Sequence, residues 1–294
     1  MSDILHRFQL ENLHVRGEWV SLSQSWKEIQ STTDYPPAIQ QVLGEAIVAI
    51  SLLADSLKFD GSLVLQIIGA QPVSMLVVQA TSDGSIRGMA NWEGEISPKA
   101  SFKDLFQAMN DQNEPSSTKG ERYQSLVSLE GDSLSDCFAQ YFAQSEQLNT
   151  RLWLSVNDKV AAGLMLQSLP SDTSQSDGWN HASILADTIK DEELLELPAE
   201  QLLHRLYHEE DLRLYDAKPI RFNCTCSQDK IEHAVASMGE TEANSIIEEQ
   251  GNINVDCDFC NTSYLLDSVD VARIFSQADV SISNNDANGT GSVH

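Results

Sequence analysis

The sequence predicts an α+β protein in three parts: an N-terminal mixed sheet-and-helix domain, a helical linker and a small C-terminal zinc-binding domain. Three observations carry that expectation. Between residues 8 and 169, short β-branched or alternating apolar runs recur between turn signals, with a few helical stretches among them. From about residue 176 the chain becomes acidic and helical in pattern. After residue 222, four of the 5 cysteines stand in two close pairs, Cys224-Thr225-Cys226 and Cys257-Asp258-Phe259-Cys260. The expected boundaries are 1–175, 176–221 and 222–276. Residues 277–294, rich in Ser, Asn, Asp and Gly, read as a disordered tail.

The elements follow in order. Residues 8–22 alternate as strands, with Arg16-Gly17-Glu18 reading as the turn between them. Pro36-Pro37 precedes a long apolar helix over 38–57, ended by Asp60-Gly61. Its alanines make it apolar on more than one face, which predicts burial. Strands are expected at 62–68, 73–79 and 86–92, with Ser82-Asp83-Gly84-Ser85 turning between the last two. A short helix over 101–109 and a strand over 123–129 follow. Leu134, Cys137, Phe138, Tyr141 and Phe142 recur at helical spacing over 134–147, which puts Cys137 on the core side as an inert thiol. Strands over 151–156 and 161–169 close the first domain.

Helices are then expected at 179–190, 192–197 and 199–208. Leu202, Leu203, Leu206 and Tyr207 form an apolar stripe that needs a partner surface. Between Asp187 and Asp216, ten acids face three bases, so the segment reads as lightly anchored and prone to local unfolding. The cysteine module has short helices at 230–238 and 242–249, strands around Ile253-Asn254-Val255 and Tyr264-Leu265-Leu266, and a closing helix at 269–275. Some fifty residues cannot bury enough apolar surface to fold unaided, so a staple is expected.

Composition narrows the function. With Asp+Glu 44 against Lys+Arg 18, the formal net charge is −26. That argues against binding nucleic acid through its phosphates, and against an anionic membrane surface. A hydrophobic fraction of 41% suffices for a core. The N-terminus does not read as a secretory signal, and few, odd-numbered cysteines do not make a secreted disulfide scaffold. A cytoplasmic, reducing setting is expected, where metal is the available staple.

Four soft sulfur donors in two chelating pairs suit one tetrahedral Zn2+ per chain, held by Cys224, Cys226, Cys257 and Cys260. Such a site contributes on the order of 10–16 kcal/mol to folding. His233 lies between the pairs but reads as a solvated helix residue. The thiolate is also the form that peroxide or hypochlorite oxidises, and each close pair has a resolving thiol beside it. Disulfide formation would remove the metal's ligands. Motifs for phosphate-binding loops, zinc proteases and serine hydrolases are missing, and no enzyme is predicted. The Cys257–Cys260 pair lacks the strand–helix context of a thioredoxin-like site.

The cysteine framework, with Val15-Arg16-Gly17-Glu18, Leu57-Lys58-Phe59-Asp60-Gly61, Arg87-Gly88 and the run Tyr141 to Leu148, resembles the Hsp33 family of redox-regulated chaperones. The resemblance spans about residues 5–275; Asn149 stands where proline is expected. It implies an ATP-independent holdase, inactive when reduced and zinc-bound, with disulfides Cys224–Cys226 and Cys257–Cys260 in the oxidised state. It also implies unfolding of the zinc module and linker, binding of unfolded client proteins, and a homodimeric active form. Two other readings compete: a constitutive zinc-stabilised interaction module, and a thiol oxidoreductase.

Overall fold

The computed structural model describes residues 3–56, 61–69, 71–106, 129, 131–169 and 176–276. The chain forms two compact units, Met1–Asn223 and Cys224–His294.

The first unit is built on two sheets. Strands β1 (Ile4–Leu10), β2 (Val15–Leu22), β6 (Thr150–Val156), β7 (Ala161–Ser168) and β8 (Leu212–Leu214) run in the order β6-β7-β2-β1-β8, and β9 (Lys218–Pro219) also pairs with β1. The second sheet has the order β10-β5-β4-β3, from β3 (Ser62–Ile68), β4 (Val73–Thr81), β5 (Ser85–Trp92) and β10 (Arg221–Phe222). Only the β10–β5 pairing in it is parallel. The Thr81–Ser85 turn has Gly84 at φ 81°, as the expected turn requires.

The first sheet is covered on both faces. Helix α2 (Pro37–Ser56) packs on one face with Leu5, Val20, Leu22, Ala161 and Met165. Three short helices, α5 (Ser176–Ala186), α6 (Asp191–Glu196) and α7 (Ala199–Tyr207), cover the other. Every residue of β7 is therefore buried, the apolar run Ala161–Leu166 and the polar Gln167 and Ser168 alike. Helix α2 is long and apolar enough to cross a bilayer, but its apolar window is 78% buried in the protein, which makes it a core helix. The lesser helices of this unit are α1 (Gln24–Gln30), α3 (Phe102–Leu105) and α4 (Leu134–Tyr141).

Several expectations change. Arg16-Gly17-Glu18 is not a turn: Gly17 lies within β2, paired with Phe8, and the turn falls at residues 11–14. A Cβ on Gly17 would stand 2.1 Å from Phe8 Cζ, so this glycine makes room for a ring rather than for a bend. The helix expected over 134–147 ends its α geometry at Tyr141, widens into a π turn over Phe142–Glu146, and stops at Gln147 with φ 53°. The expected helix over 101–109 is four residues long, and Phe106 bridges to Pro72. The strand over 123–128, the helix stop at Asp60 and the tail at 277–294 lie outside the described residues.

The acidic helices are not lightly anchored. Leu202 and Leu203 are 0% exposed, and with Leu206, Tyr207, Ala182, Ala186 and Leu194 they join Phe8, Leu10, Val15, Trp19, Leu164 and Leu166 in one core. The Tyr207 hydroxyl donates to Ala182 O at 3.1 Å, tying α7 to α5. Arg151 clasps Asp187 with two hydrogen bonds, of 2.7 and 2.9 Å. Beyond α7 the chain enters the strands β8–β10, which had no periodic signal because each is two or three residues long.

Glu18 is an unusual inhabitant of β2. It is 3% exposed, and burial, reinforced by the Asp55 carboxylate, pushes its carboxyl up to about 8 against the pull of Arg16, Arg7 and Lys218. A carboxyl raised on folding contributes most below its ordinary pKa, 4.5 here, and that contribution is lost as pH rises through the folded value. Glu18→Gln is expected to flatten the fall in thermal midpoint between pH 5 and pH 8 and to raise the midpoint at pH 8. Calorimetry at the two pH values checks both.

Candidate metal centre

The second unit holds α8 (Gln228–Met238), α9 (Glu240–Gln250), the hairpin β11 (Ile253–Asp256) and β12 (Ser263–Leu266), and a last helix α10 over 268–276. Its buried apolar core is small: Val235, Ala243, Ile253, Leu266, Val271 and Ile274. Even with about 1.5–3 kcal/mol for each large side chain, that burial is outweighed by the cost of ordering some fifty residues.

Local structure brings the sulfurs together. Cys224 and Cys226 lie in the extended segment before α8, which Ser227 caps by accepting from the Lys230 amide. Cys257 leaves β11 into a tight turn: the Cys260 and Asn261 amides both donate to Cys257 O, at 3.2 and 2.7 Å. Asn261 takes φ 57°, a conformation asparagine tolerates better than most residues. The Cys257 amide donates to Thr262 O at 3.0 Å, which closes the knuckle onto the hairpin.

All four Sγ atoms lie within 4.8 Å of one another. Cys224 Sγ is 3.6 Å from Cys257 Sγ, and Cys226 Sγ is 3.4 Å from Cys260 Sγ. A tetrahedron with metal–sulfur bonds of about 2.3 Å has edges of roughly 3.8 Å, so the donor set fits a tetrahedral thiolate site. Both of these separations run across the two sequence pairs, so the pairs meet around one centre. Among the described residues this is the one cluster of three or more Cys, His, Asp or Glu that could hold a metal ion.

The electrostatics point the same way. Burial pushes the Cys257 thiol up to about 12, and neighbouring sulfurs add to it. For Cys226, the Tyr264 hydroxyl, which donates to its Sγ at 3.1 Å, favours the thiolate, yet burial and the neighbouring thiols leave the group raised. Burial also opposes ionisation of Cys260, but its hydrogen bonds with Thr262 and with the adjacent thiols outweigh it and hold that thiol at about 7. Four crowded thiols cannot all ionise without a cation among them, and the cation that fits is one that prefers sulfur.

Tyr264 and Thr262 had no assigned part in the sequence reading. The hairpin places them: β12 pairs antiparallel with β11, and the Tyr264 hydroxyl reaches Cys226 Sγ while Thr262 meets Cys260 Sγ. His233 stays outside the cluster, exposed, with Nδ1 2.6 Å from Asp229 O. Cys137 is 1% exposed on α4, in the first unit, and burial raises its thiol.

A model of the Hsp33 protein family matches residues 3–267. The chain is 45% identical over 274 residues to a 33 kDa chaperonin of Shewanella sediminis, covering 93% of this chain and 96% of that protein. It is 42% identical over 286 residues to a 33 kDa chaperonin of Pseudomonas fluorescens, covering 95% of each. Among solved structures, the 33 kDa chaperonin of Thermotoga maritima superposes with a TM-score of 0.76 at 20% identity, over 95% of this chain and 99% of that one. That last likeness concerns the fold.

Proposed function

The chain belongs to the Hsp33 family, and on that premise we propose that it is a redox-regulated, ATP-independent holdase of the cytoplasm. It binds unfolded proteins under oxidative stress and prevents their aggregation. The observation that carries this reading is a cluster of four sulfurs, fit for a metal, inside a unit with very few buried apolar residues. Folding of that unit depends on the sulfurs, so their oxidation state sets whether it folds.

In the reduced state, Cys224, Cys226, Cys257 and Cys260 hold one Zn2+. When bound, the metal supplies folding free energy and keeps the sulfurs as thiolates. Peroxide oxidises each pair of cysteines: two thiolates give up two electrons, one S–S bond forms, and the peroxide's O–O bond breaks as it takes those electrons and two protons from solvent to leave as two waters. The pairing follows the family, Cys224 with Cys226 and Cys257 with Cys260. Disulfide sulfurs are no longer thiolate donors, so the unit loses its staple and unfolds.

The output lies in the first unit. Residues 212–223, which run directly into Cys224, are held there by short pairings and by the Asn223 amide donating to Ile86 O at 3.0 Å. Loosening this run frees α5–α7 to leave the first sheet. The face beneath them is apolar, with Phe8, Leu10, Val15, Trp19, Leu164 and Leu166, and it is the surface offered to exposed apolar segments of a client. The net charge of −26 keeps the opened protein and its cargo dispersed. The active form is a homodimer, and no chemical turnover is involved.

The test dilutes a chemically unfolded client into buffer with reduced, zinc-loaded protein or with peroxide-oxidised, zinc-free protein, and follows light scattering. The oxidised form is expected to suppress aggregation near stoichiometry, and the reduced form to leave it unchanged. Equal protection by both forms would remove the switch. Protection by the zinc-loaded form alone would point to a constitutive binding module.

A further inference from the structure

Outside the cysteine cluster, the helix α7 carries a second set of metal-binding side chains. His204 lies in its last turn and His208 at its C-terminal cap, where the backbone is still helical at φ −66° and ψ −17°. A spacing of four puts both on one stripe of the helix. Both are exposed, and their ring centroids lie 5.8 Å apart with planes inclined by 29°. Glu200 occupies the same stripe one turn earlier, and Glu209 Oε1 lies 3.9 Å from His208 Nε2. Other histidines are engaged elsewhere: His6 with Tyr215 O, His181 with Glu210 and His233 with Asp229 O. The His204 and His208 rings instead face each other.

The segment reads His204-Arg205-Leu206-Tyr207-His208. This is the two-ligand spacing of helical zinc sites, with arginine where the zinc proteases carry their catalytic glutamate. Arg205 is turned to Glu193 and to Thr188 O, so it supplies no base. The arrangement therefore suits binding and not hydrolysis. We propose that His204 and His208 form a second divalent-metal site, separate from the cysteine cluster and selective for imidazole-preferring cations such as Ni2+ and Zn2+. Water completes the coordination. The acids Glu200, Glu209, Glu210 and Asp211 in the same short stretch raise the local cation concentration.

The site has a built-in consequence. The two ligands converge only while 204–208 is helical, so metal binds the wound helix and not the unwound one. The opposite stripe of that turn carries Leu206 and Tyr207, buried against the first sheet. Metal at His204 and His208 thus opposes release of α7. The existence of the site is independent of the redox reading; its regulatory effect rests on that reading.

The experiment uses the full chain, reduced and already holding one zinc, with Ni2+ as the added probe, followed by calorimetry and hydrogen exchange. The wild-type protein is expected to take up one further equivalent. His204→Gln and His208→Gln are each expected to weaken it at least tenfold, and the double variant to abolish it. At free Ni2+ about 100 times Kd, amides of the last turn of α7 are expected to exchange about 100-fold more slowly. Failure to bind a further equivalent, or unchanged affinity in the double variant, would overturn the site. Binding that leaves exchange of α7 unchanged would overturn the clamp. Because the zinc content is measured before Ni2+ is added, failure here leaves the thiolate centre standing.

Discussion

Cys257→Ser is expected to abolish metal binding by the reduced protein and to unfold the whole second unit. The fully reduced variant should retain no tightly bound zinc, and amide protection should vanish across α8, α9, β11 and β12. The physical reason is the disproportion between the two sources of stability there. The core consists of six buried apolar residues, three of them the small Ala243 and the modest Val235 and Val271. A four-thiolate site contributes on the order of 10–16 kcal/mol, more than the net stability of most domains. Serine is nearly isosteric, so the loss is one of ligation and not of packing. The core that α2 forms with the two sheets lies in the first unit and should keep its amide protection. Metal analysis with hydrogen exchange on the same sample reads both outcomes. Native-like protection in a zinc-free Cys257→Ser protein would show that the unit folds without its sulfurs.

Phe8→Ala is expected to make the reduced, zinc-loaded protein protect clients. Phe8 is 1% exposed on β1 and lies over Gly17, with its ring centroid 6.2 Å from that of Tyr207 on α7. It is one of the buried contacts by which the sheet holds the last of the three acidic helices. Removing a buried phenylalanine costs about 3–5 kcal/mol. That cost falls on the interface that must open. Gly17→Val should act in the same direction from the other side, since a Cβ there has no room beneath the ring. A comparable truncation on the opposite face, Leu43→Ala in α2, should destabilise the unit without activating it. Light scattering with an unfolded client, alongside exchange of residues 176–211, separates the cases. Inactive Phe8→Ala protein with exchange-labile helices would detach helix release from client binding.

Much of this arrangement was legible in the sequence, for reasons that differ by region. The long helix α2 and the strands β3–β7 carry strong apolar periodicity, and their bounds agree to within a few residues. The cluster of four cysteines was legible because two sulfur pairs at chelating spacing suit one soft metal ion. Gly17 was misread because a glycine between charged residues usually marks a turn. Here it is set by a ring that only tertiary structure brings across from β1. The acidic helices were underestimated for a related reason. Composition counts their charges, but anchoring depends on one buried stripe meeting a sheet face formed by residues some 40 to 200 positions away. Strands β8–β10 left no trace, since pairs of two or three residues have no period to read. The hydroxyls of Thr262 and Tyr264 became part of the centre only once the hairpin register was known.

The central claim is that oxidation of the four cysteines is transmitted to the helices that cover the apolar sheet face. The measurement that tests it most directly titrates peroxide into the reduced, zinc-loaded protein. Zinc release, hydrogen exchange over 176–222 and suppression of client aggregation are followed on the same samples. The account predicts that the three rise together, with exchange of α2 and β7 unchanged throughout. Full zinc release and full client protection, with residues 176–222 still as protected as in the reduced protein, would contradict it.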